Sequence, residues 1–236
     1  MIEIKNSTVI YQTADISTSF DTSGGNSLIA GFMLPGSGFP VSRTITSVKF
    51  NSADFTQQLS QSVYHSKDGG SNLNVYWYTL PNPTPGSNTF AVVTNTTPSD
   101  QILCYLLSFS GTSTGDLVSG VAYGQDDADT VPDPSLAITA TAKSTFGIMM
   151  GTNRNYSPGN NYFNVGSGFT EAYDSQGIAG ASDGRWAEYK SFTGIGSKTF
   201  DGTCNYDVPP GPDSWGAIAI LINGAKEGGP QFMYSD

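Results

Sequence analysis

The sequence predicts an all-β protein, an antiparallel β-sandwich of the jelly-roll type. Short runs rich in Val, Ile, Thr, Tyr and Phe recur along all 236 residues, and clusters of Gly, Pro, Asn and Ser separate them. Several runs alternate apolar and polar residues, as half-buried strands do. No stretch has the length and period of a long helix. Because sandwiches of this size are often one unit, we expect a single domain over residues 1–236.

The runs place the strands in order along the chain. In the first half they predict strands at 8–13, 27–34, 44–51, 62–66, 74–80, 88–94 and 101–110. In the second half they predict strands at 135–141, 145–151, 161–165, 169–173, 185–192, 196–200 and 214–223. The stretch 54–60 has a faint helical pattern and fits strand or loop equally well. Ile45 is out of phase with Val48 and Phe50, which predicts a β-bulge.

The segment 111–134 is rich in turn residues and acids and lacks a strong β pattern. We interpret it as a long loop within one domain, with a domain break there as the alternative. The chain shows no repeat of fixed period, which disfavours a solenoid or a propeller.

Two runs are apolar on both faces and predict central strands, at 102–107 and 215–222. Cys104 lies in the first run, which predicts a small buried hydrophobe. A disulfide to Cys204 stays open, although an expected cytoplasmic origin disfavours it. Two distant cysteines and one histidine do not have the spacing of zinc ligands.

The charge pattern limits the classes of partner. Charged residues make up 13% of the chain, about half the usual share of roughly 25%. The net charge is −10 and the ten basic residues are scattered, which opposes nucleic-acid binding and a polybasic membrane anchor. The first residues lack the pattern of a secretory signal, so we expect synthesis in a cytoplasm. The longest apolar run, 217–222, is too short to span a bilayer.

One segment matches a hydrolase motif. Residues 111–115 read Gly-Thr-Ser-Thr-Gly, the G-x-S-x-G pattern of a nucleophile elbow. An elbow needs a helix after the serine and a histidine later in the chain, whereas turn residues follow and His65 precedes it. We therefore interpret the match as chance, and His65 as a strand-end residue beside the turn 67–70.

Carboxylates raise two further hypotheses. Asp126, Asp127 and Asp129, with Asp133 nearby, form the densest acidic group, which we interpret as a solvated loop, with a calcium site as the alternative. A glycosidase would need two facing acids, and the sequence gives no separation to test. The acids considered for that role are Glu171, Asp174, Asp183 and Glu188.

Aromatic clusters suggest a binding surface. In one predicted strand, Trp77 points away from Tyr76 and Tyr78. Core packing is the favoured interpretation for each ring. The binding hypothesis is an exposed platform for a sugar or a protein, because Tyr and Trp join a large apolar area to a polar tip. The residues of that platform would be Tyr76, Tyr78, Trp186 and Tyr189.

Five segments in a fixed order carry a family resemblance. They are 46–50 (TSVKF), 75–83 (VYWYTLPNP), Gly86, 91–93 (AVV) and 107–111 (LSFSG). In this order they resemble a β-sandwich domain that recurs in structural proteins of tailed phages and in some bacterial surface proteins. The resemblance covers about the middle third of the chain, and 229–232 fits more loosely. It implies a virion component and carries no catalytic residues.

These observations together predict a non-enzymatic structural protein of a phage virion, most consistent with a capsid decoration protein on the outer surface of the head. The expected partners are the major capsid protein or other virion proteins, with homo-oligomer or lattice contacts. The alternative is a carbohydrate-binding or receptor-binding tail or fibre protein, whose partner would be a glycan. A glycan hydrolase is the third hypothesis. No cofactor is expected, apart from the calcium alternative.

Overall fold

The described part of the chain is all β. A computed structural model describes residues 1–35, 42–65, 71–95, 102–126, 133–154, 163–176, 183–204 and 215–226. These ranges hold seventeen strands and no helix, so no described segment forms the long apolar helix that crossing a membrane would need. The strands are β1 Glu3–Gln12, β2 Ile16–Asp21, β3 Ser27–Pro35, β4 Ile45–Phe50, β5 Ala53–Asp54, β6 Thr56–His65, β7 Ser71–Pro81, β8 Ser87–Thr94, β9 Ile102–Ser110, β10 Val118–Asp126, β11 Ser135–Ala140, β12 Ser144–Arg154, β13 Phe163–Val165, β14 Thr170–Gln176, β15 Asp183–Thr193, β16 Gly196–Cys204 and β17 Trp215–Asn223.

The strands form four antiparallel sheets, two in each half of the chain. The inner N-terminal sheet has the order β1-β9-β3-β7-β6, and the outer N-terminal sheet β2-β8-β4-β5. The inner C-terminal sheet has the order β10-β17-β12-β15-β14, and the outer C-terminal sheet β11-β16-β13. The prediction of an antiparallel all-β fold of sandwich character is therefore confirmed, whereas the jelly-roll type is not.

Three hydrophobic cores join the four sheets into a stack. An outer core lies between the two N-terminal sheets, a central core between the two inner sheets, and a second outer core between the two C-terminal sheets. Strand β3 shows how the sequence achieves this: Leu28 and Phe32 enter the outer core, while Ile29 and Met33 enter the central one. Successive strand residues point to opposite faces, so an apolar strand serves two cores at once.

The two halves repeat one topology. Strands β1, β2, β3, β4, β6, β7, β8 and β9 occupy the same sheet positions as β10 to β17, taken in chain order, and β5 alone has no counterpart. A short sequence match supports the correspondence, since Gly86-Ser-Asn-Thr-Phe90 leads into β8 and Gly196-Ser-Lys-Thr-Phe200 begins β16. The ring pair Phe55–Phe90 has a centroid separation of 5.8 Å, and Phe169–Phe200 of 5.9 Å.

The halves face each other as two copies in a symmetric dimer would. Tyr11 of β1 contacts Tyr173 of β14, with ring centroids 5.8 Å apart. At the other edge, the Tyr123 hydroxyl of β10 donates to the Ser62 carbonyl of β6 at 3.1 Å. Because β1 corresponds to β10 and β6 to β14, each contact pairs the same two strand types in reverse, which is the mark of a two-fold relation. The halves also share the central core, and the expectation of one domain stays a prediction.

Several local predictions are confirmed and two strands were missed. Strands β9 and β17 are central, and the bulge at Ile45 appears as a register shift between Ile45 and Ser47. Cys104 and Cys204 are both buried, in different outer cores, and no disulfide links them. Strand β2 was not predicted. The expected long loop 111–134 was wrong over Val118–Asp126, because that segment is β10 and pairs with β17.

Candidate functional site

We call the segment 111–117, which connects the two halves, the passage. On one side it is hydrogen-bonded to the turn before β3. Residues 111–117 connect β9 to β10, and Thr112 in this segment is only 1% exposed. Its hydroxyl donates to the Asn26 side-chain oxygen at 2.8 Å, and the Asn26 amide nitrogen donates to the Thr112 carbonyl at 2.8 Å. Gly111 has φ +72°, and a Cβ there would overlap the Met1 carbonyl, so glycine fits this tight crossing.

The end of β17 holds the same passage on the other side. The Ser113 amide donates to the Asn223 carbonyl at 2.8 Å, and the Asn223 amide donates to the Leu117 carbonyl at 2.7 Å. The Asn223 side chain donates to the Asp116 carbonyl at 2.9 Å. A backbone that is hydrogen-bonded on both sides presents its outward side chains in fixed positions.

Two adjoining cavities flank this passage, and together we call them the junction groove. The first has a volume of about 400 Å³ and is lined by Asn26, 112–116, Ala225 and Lys226. The second has a volume of about 300 Å³ and is lined by Thr56, Gln58, Thr79, Pro81 and 115–118. Gly115 and Asp116 line both, so they form the ridge between the cavities.

The junction groove is lined by hydroxyl, amide, carboxylate and ammonium groups. Thr114 and Asp116 are exposed, and Ser113 is half-buried. Gln58 donates through its amide nitrogen to the Thr79 hydroxyl at 2.9 Å, which leaves the Gln58 side-chain oxygen as an acceptor. Such a lining can both donate to and accept from a polar ligand.

The G-x-S-x-G segment forms one wall of this groove and is not a nucleophile elbow. Strand β9 precedes Ser113, but bends and then strand β10 follow it, where an elbow has a helix. His65 is the last residue of β6, which pairs with β7. The geometry around Ser113 therefore positions hydroxyl groups at a surface rather than a strained nucleophile.

The aromatic platform does not form, and this is a correction. Tyr76 and Tyr78 are 6% and 7% exposed and lie in the N-terminal outer core, while Trp77 points to the central core as expected. Trp186 is fully buried and stacks on Phe163 at 3.7 Å in the C-terminal outer core, and Tyr189 packs against the central core. Sheets lie on both faces of strands β7 and β15, so neither strand offers a solvated face for these rings.

The acidic group is only partly described. Asp126 ends β10 opposite Trp215 and is buried, whereas Asp127 and Asp129 lie outside the described residues. The Asp133 carboxylate accepts the Cys204 amide at 3.0 Å, a structural role at the start of the C-terminal outer sheet. The described residues contain no group of three metal-ligating side chains. The calcium alternative therefore stays a prediction.

One buried acid has unusual chemistry. Glu188 in β15 is fully buried, and its Oε2 accepts the Gly166 amide at 3.0 Å while Oε1 has no hydrogen-bond partner. Burial raises the pKa of Glu188 to about 8, the Gly166 hydrogen bond opposes this shift, and the nearby Asp201 adds to it. Glu171 lies directly opposite Glu188 across the strand pair but is exposed, so the two acids do not face each other in a cleft.

The sequence drew attention to one wall of the junction groove, residues 111–115, only because they match a hydrolase motif. It did not identify the other lining residues. The polar run after the buried strand β9, ending in Asp116, was the available signal. Asn26 and Lys226 reach the same place only through the fold. Comparison of the chain with protein families, with curated proteins and with solved structures yields no match.

Proposed function

We propose that this protein is a structural component of a phage virion, a decoration protein that binds the outer surface of the head without catalysing a reaction. The observation that carries the proposal is a pair of exposed outer faces, formed by corresponding strands on opposite sides of the four-sheet stack. The sequence resemblance to phage structural domains points in the same direction.

Short polar side chains are exposed on the outer N-terminal face. Ser19 of β2 lies opposite Thr89 of β8, and Asp21 lies opposite Ser87. All four side chains are exposed, while Phe20, which lies between Ser19 and Asp21, and Phe90, which follows Thr89, are buried. Short side chains of this kind allow another protein surface to approach the sheet closely.

The outer C-terminal face repeats this arrangement. Thr139 of β11 lies opposite Ser197 of β16, and Ala137 lies opposite Thr199. All four are exposed. Ser197 and Thr199 hold the same places in the G-S-x-T-F match as Ser87 and Thr89, so the two faces present like groups from like strands.

Paired faces of this kind suit a partner that is itself repeated, such as the subunits of a shell. A specific interface buries about 800 Å² per partner, and each contact that forms only with folded subunits stabilises the assembly by mass action. The partners proposed are the major capsid protein or a neighbouring virion protein.

The test is sedimentation of the protein with purified phage heads that lack decoration. We expect co-sedimentation that saturates at a fixed copy number per head. The double variant Thr89→Lys with Thr199→Lys places one long cation on each outer face and should abolish binding. Gln61→Lys adds the same charge on β6, at an exposed position of an inner sheet, and should bind like the wild type. Wild-type protein that stays in the supernatant would refute the proposal.

Carbohydrate or receptor binding is the second candidate function. The junction groove favours it, because a hydroxyl- and amide-lined groove matches the hydrogen-bonding groups of a sugar. The buried aromatic residues do not contribute to this candidate.

A further inference from the structure

We propose that the junction groove is a binding site for a neutral saccharide. This inference rests on the second candidate function and is independent of the decoration role, because the groove and the outer faces use different residues.

The size of the groove fits a small ligand. Cavities of about 400 and 300 Å³ lie on either side of the ridge at Gly115 and Asp116. Small-molecule sites have volumes of roughly 300 to 1,000 Å³. Two adjoining cavities of this size match two neighbouring rings of an oligosaccharide better than one compact ligand.

The lining carries unused hydrogen-bonding capacity. Within the described part of the chain, the side chains of Ser113, Thr114 and Asp116 make no hydrogen bond, and the Gln58 oxygen is unpaired. The Asp116 carboxylate and the Gln58 oxygen can only accept, while the Lys226 ammonium can only donate and the hydroxyls do both. Vicinal sugar hydroxyls, which also donate and accept, can satisfy such a mixed set.

The charges in the lining favour a neutral ligand. Among the described residues that line the two cavities, Asp116 is the one carboxylate and Lys226 the one cation. Their charges offset each other, so an anion or a cation gains little net attraction at this place. A sugar hydroxyl gains from both, because hydrogen bonds to ionised groups are the stronger ones.

The backbone of the groove is already ordered. Thr112 is held by Asn26 on one side, and Ser113 is held by Asn223 on the other. A site that is fixed before binding loses little conformational entropy when the ligand arrives. Because none of the described residues that line the two cavities is aromatic, we expect weak binding, with dissociation constants of about 1 mM.

The experiment is an amide NMR titration of the whole protein with glucose, galactose, N-acetylglucosamine and maltose, each to about 100 mM, which would saturate a site of this strength. At least one sugar should produce saturable shifts confined to residues 112–118, 225–226 and the turn at Asn26. Asp116→Asn should weaken that binding about tenfold, because it removes the charged acceptor on the ridge.

Asp54→Asn is the matched control, since Asp54 is an exposed carboxylate on β5 that pairs with Lys49 at 3.2 Å. It should bind the sugar like the wild type. The proposal is overturned if none of the four sugars produces saturable shifts in the groove, or if Asp116→Asn binds as tightly as the wild type. Absence of sugar binding would not affect co-sedimentation with phage heads. The outer-face double variant should still bind the sugar, so the two proposals can be refuted independently.

Discussion

Glu188 should make the stability of this protein fall as the pH rises towards 8. Its carboxyl is fully buried, and its pKa is raised from 4.5 to about 8 in the folded protein. Between these two values the folded chain holds a proton that the unfolded chain has released. Stability from this group is therefore complete below pH 4.5 and is lost as the pH rises through 8.

The expected slope is about 1.4 kcal/mol per pH unit, because one proton is bound on folding within this window. From pH 5.5 to 7.5 the contribution of Glu188 to the free energy of unfolding should thus fall by roughly 3 kcal/mol. Glu188→Gln keeps the shape and the acceptor for the Gly166 amide but cannot ionise. The variant should lack this fall.

Urea unfolding followed by tryptophan fluorescence measures the effect, since all three tryptophans are buried. The difference in free energy between the wild type and Glu188→Gln, taken at several pH values, isolates the one group from all other titrations. Glu171→Gln is the control, because Glu171 lies opposite Glu188 on the neighbouring strand but is exposed. Parallel profiles for the wild type and Glu188→Gln across this window would refute the argument, as would an equal effect of Glu171→Gln.

Three further predictions concern packing and the passage between the halves. Phe90→Ala and Phe200→Ala should each lower the free energy of unfolding by about 3–5 kcal/mol and by similar amounts, because both rings are fully buried at corresponding positions. Gly151→Ala should cost about 1–3 kcal/mol in urea unfolding, since its Cβ would overlap the indole of Trp186. Thr112→Val should cost about 1–3 kcal/mol, measured in the same way, because it leaves polar partners in the buried passage unsatisfied.

Each of these has a control. A Cβ at Gly115 would meet no atom within 4 Å, so Gly115→Ala should be nearly neutral where Gly151→Ala is not. Thr112→Ser keeps the hydroxyl and should retain most of the stability that Thr112→Val loses. For the phenylalanines, a large cost at one position and a negligible cost at the other would contradict the structural correspondence of the two halves.

Strand placement could be predicted where a strand has a strong apolar pattern. Strands β9 and β17 are apolar on both faces because each lies between two cores, and this is visible in the sequence as a continuous apolar run. Strand β2 has only Ile16 and Phe20 as buried residues among serine and threonine, since its other face is solvated, and so short a pattern escaped notice. Strand β10 is half-buried along most of its length and contains two glycines, which hid its alternation.

The repeat of the fold could not be seen as a repeat of sequence. Corresponding strands share a position in a sheet, but their side chains must fit different neighbours. A Cβ at Gly31 in β3 would overlap both Trp77 and Met150 of the opposite half, so the residue at this position is set by its particular neighbours. The sequence match between the halves is limited to the G-S-x-T-F segments at β8 and β16. Both glycines there have positive φ, and both phenylalanines fill an outer core. Five residues are too few to reveal a period.

The junction groove was equally beyond sequence reasoning. Asn26, residues 112–116 and Lys226 are far apart in the chain and meet because β3 begins, and β9 and β17 end, at the same edge of the stack. The sequence showed only the polar run after β9, whose G-x-S-x-G match was interpreted as chance and was not connected with a groove. The aromatic residues suggested an exposed platform that does not form, because a strand that lies between two sheets buries both of its faces.

The two proposals follow from the symmetric and the asymmetric parts of one architecture. A repeated topology around an approximate two-fold axis yields like surfaces in pairs, and paired surfaces are useful to a partner that is also repeated. The passage 111–117 occurs only once, because a single chain crosses from one half to the other at one place. A groove beside that crossing therefore has no symmetry-related copy within the described residues, which suits one small ligand and not a lattice. Substitutions on the outer faces and in the groove should accordingly act on different partners, with no coupling between them beyond the shared stability of the stack.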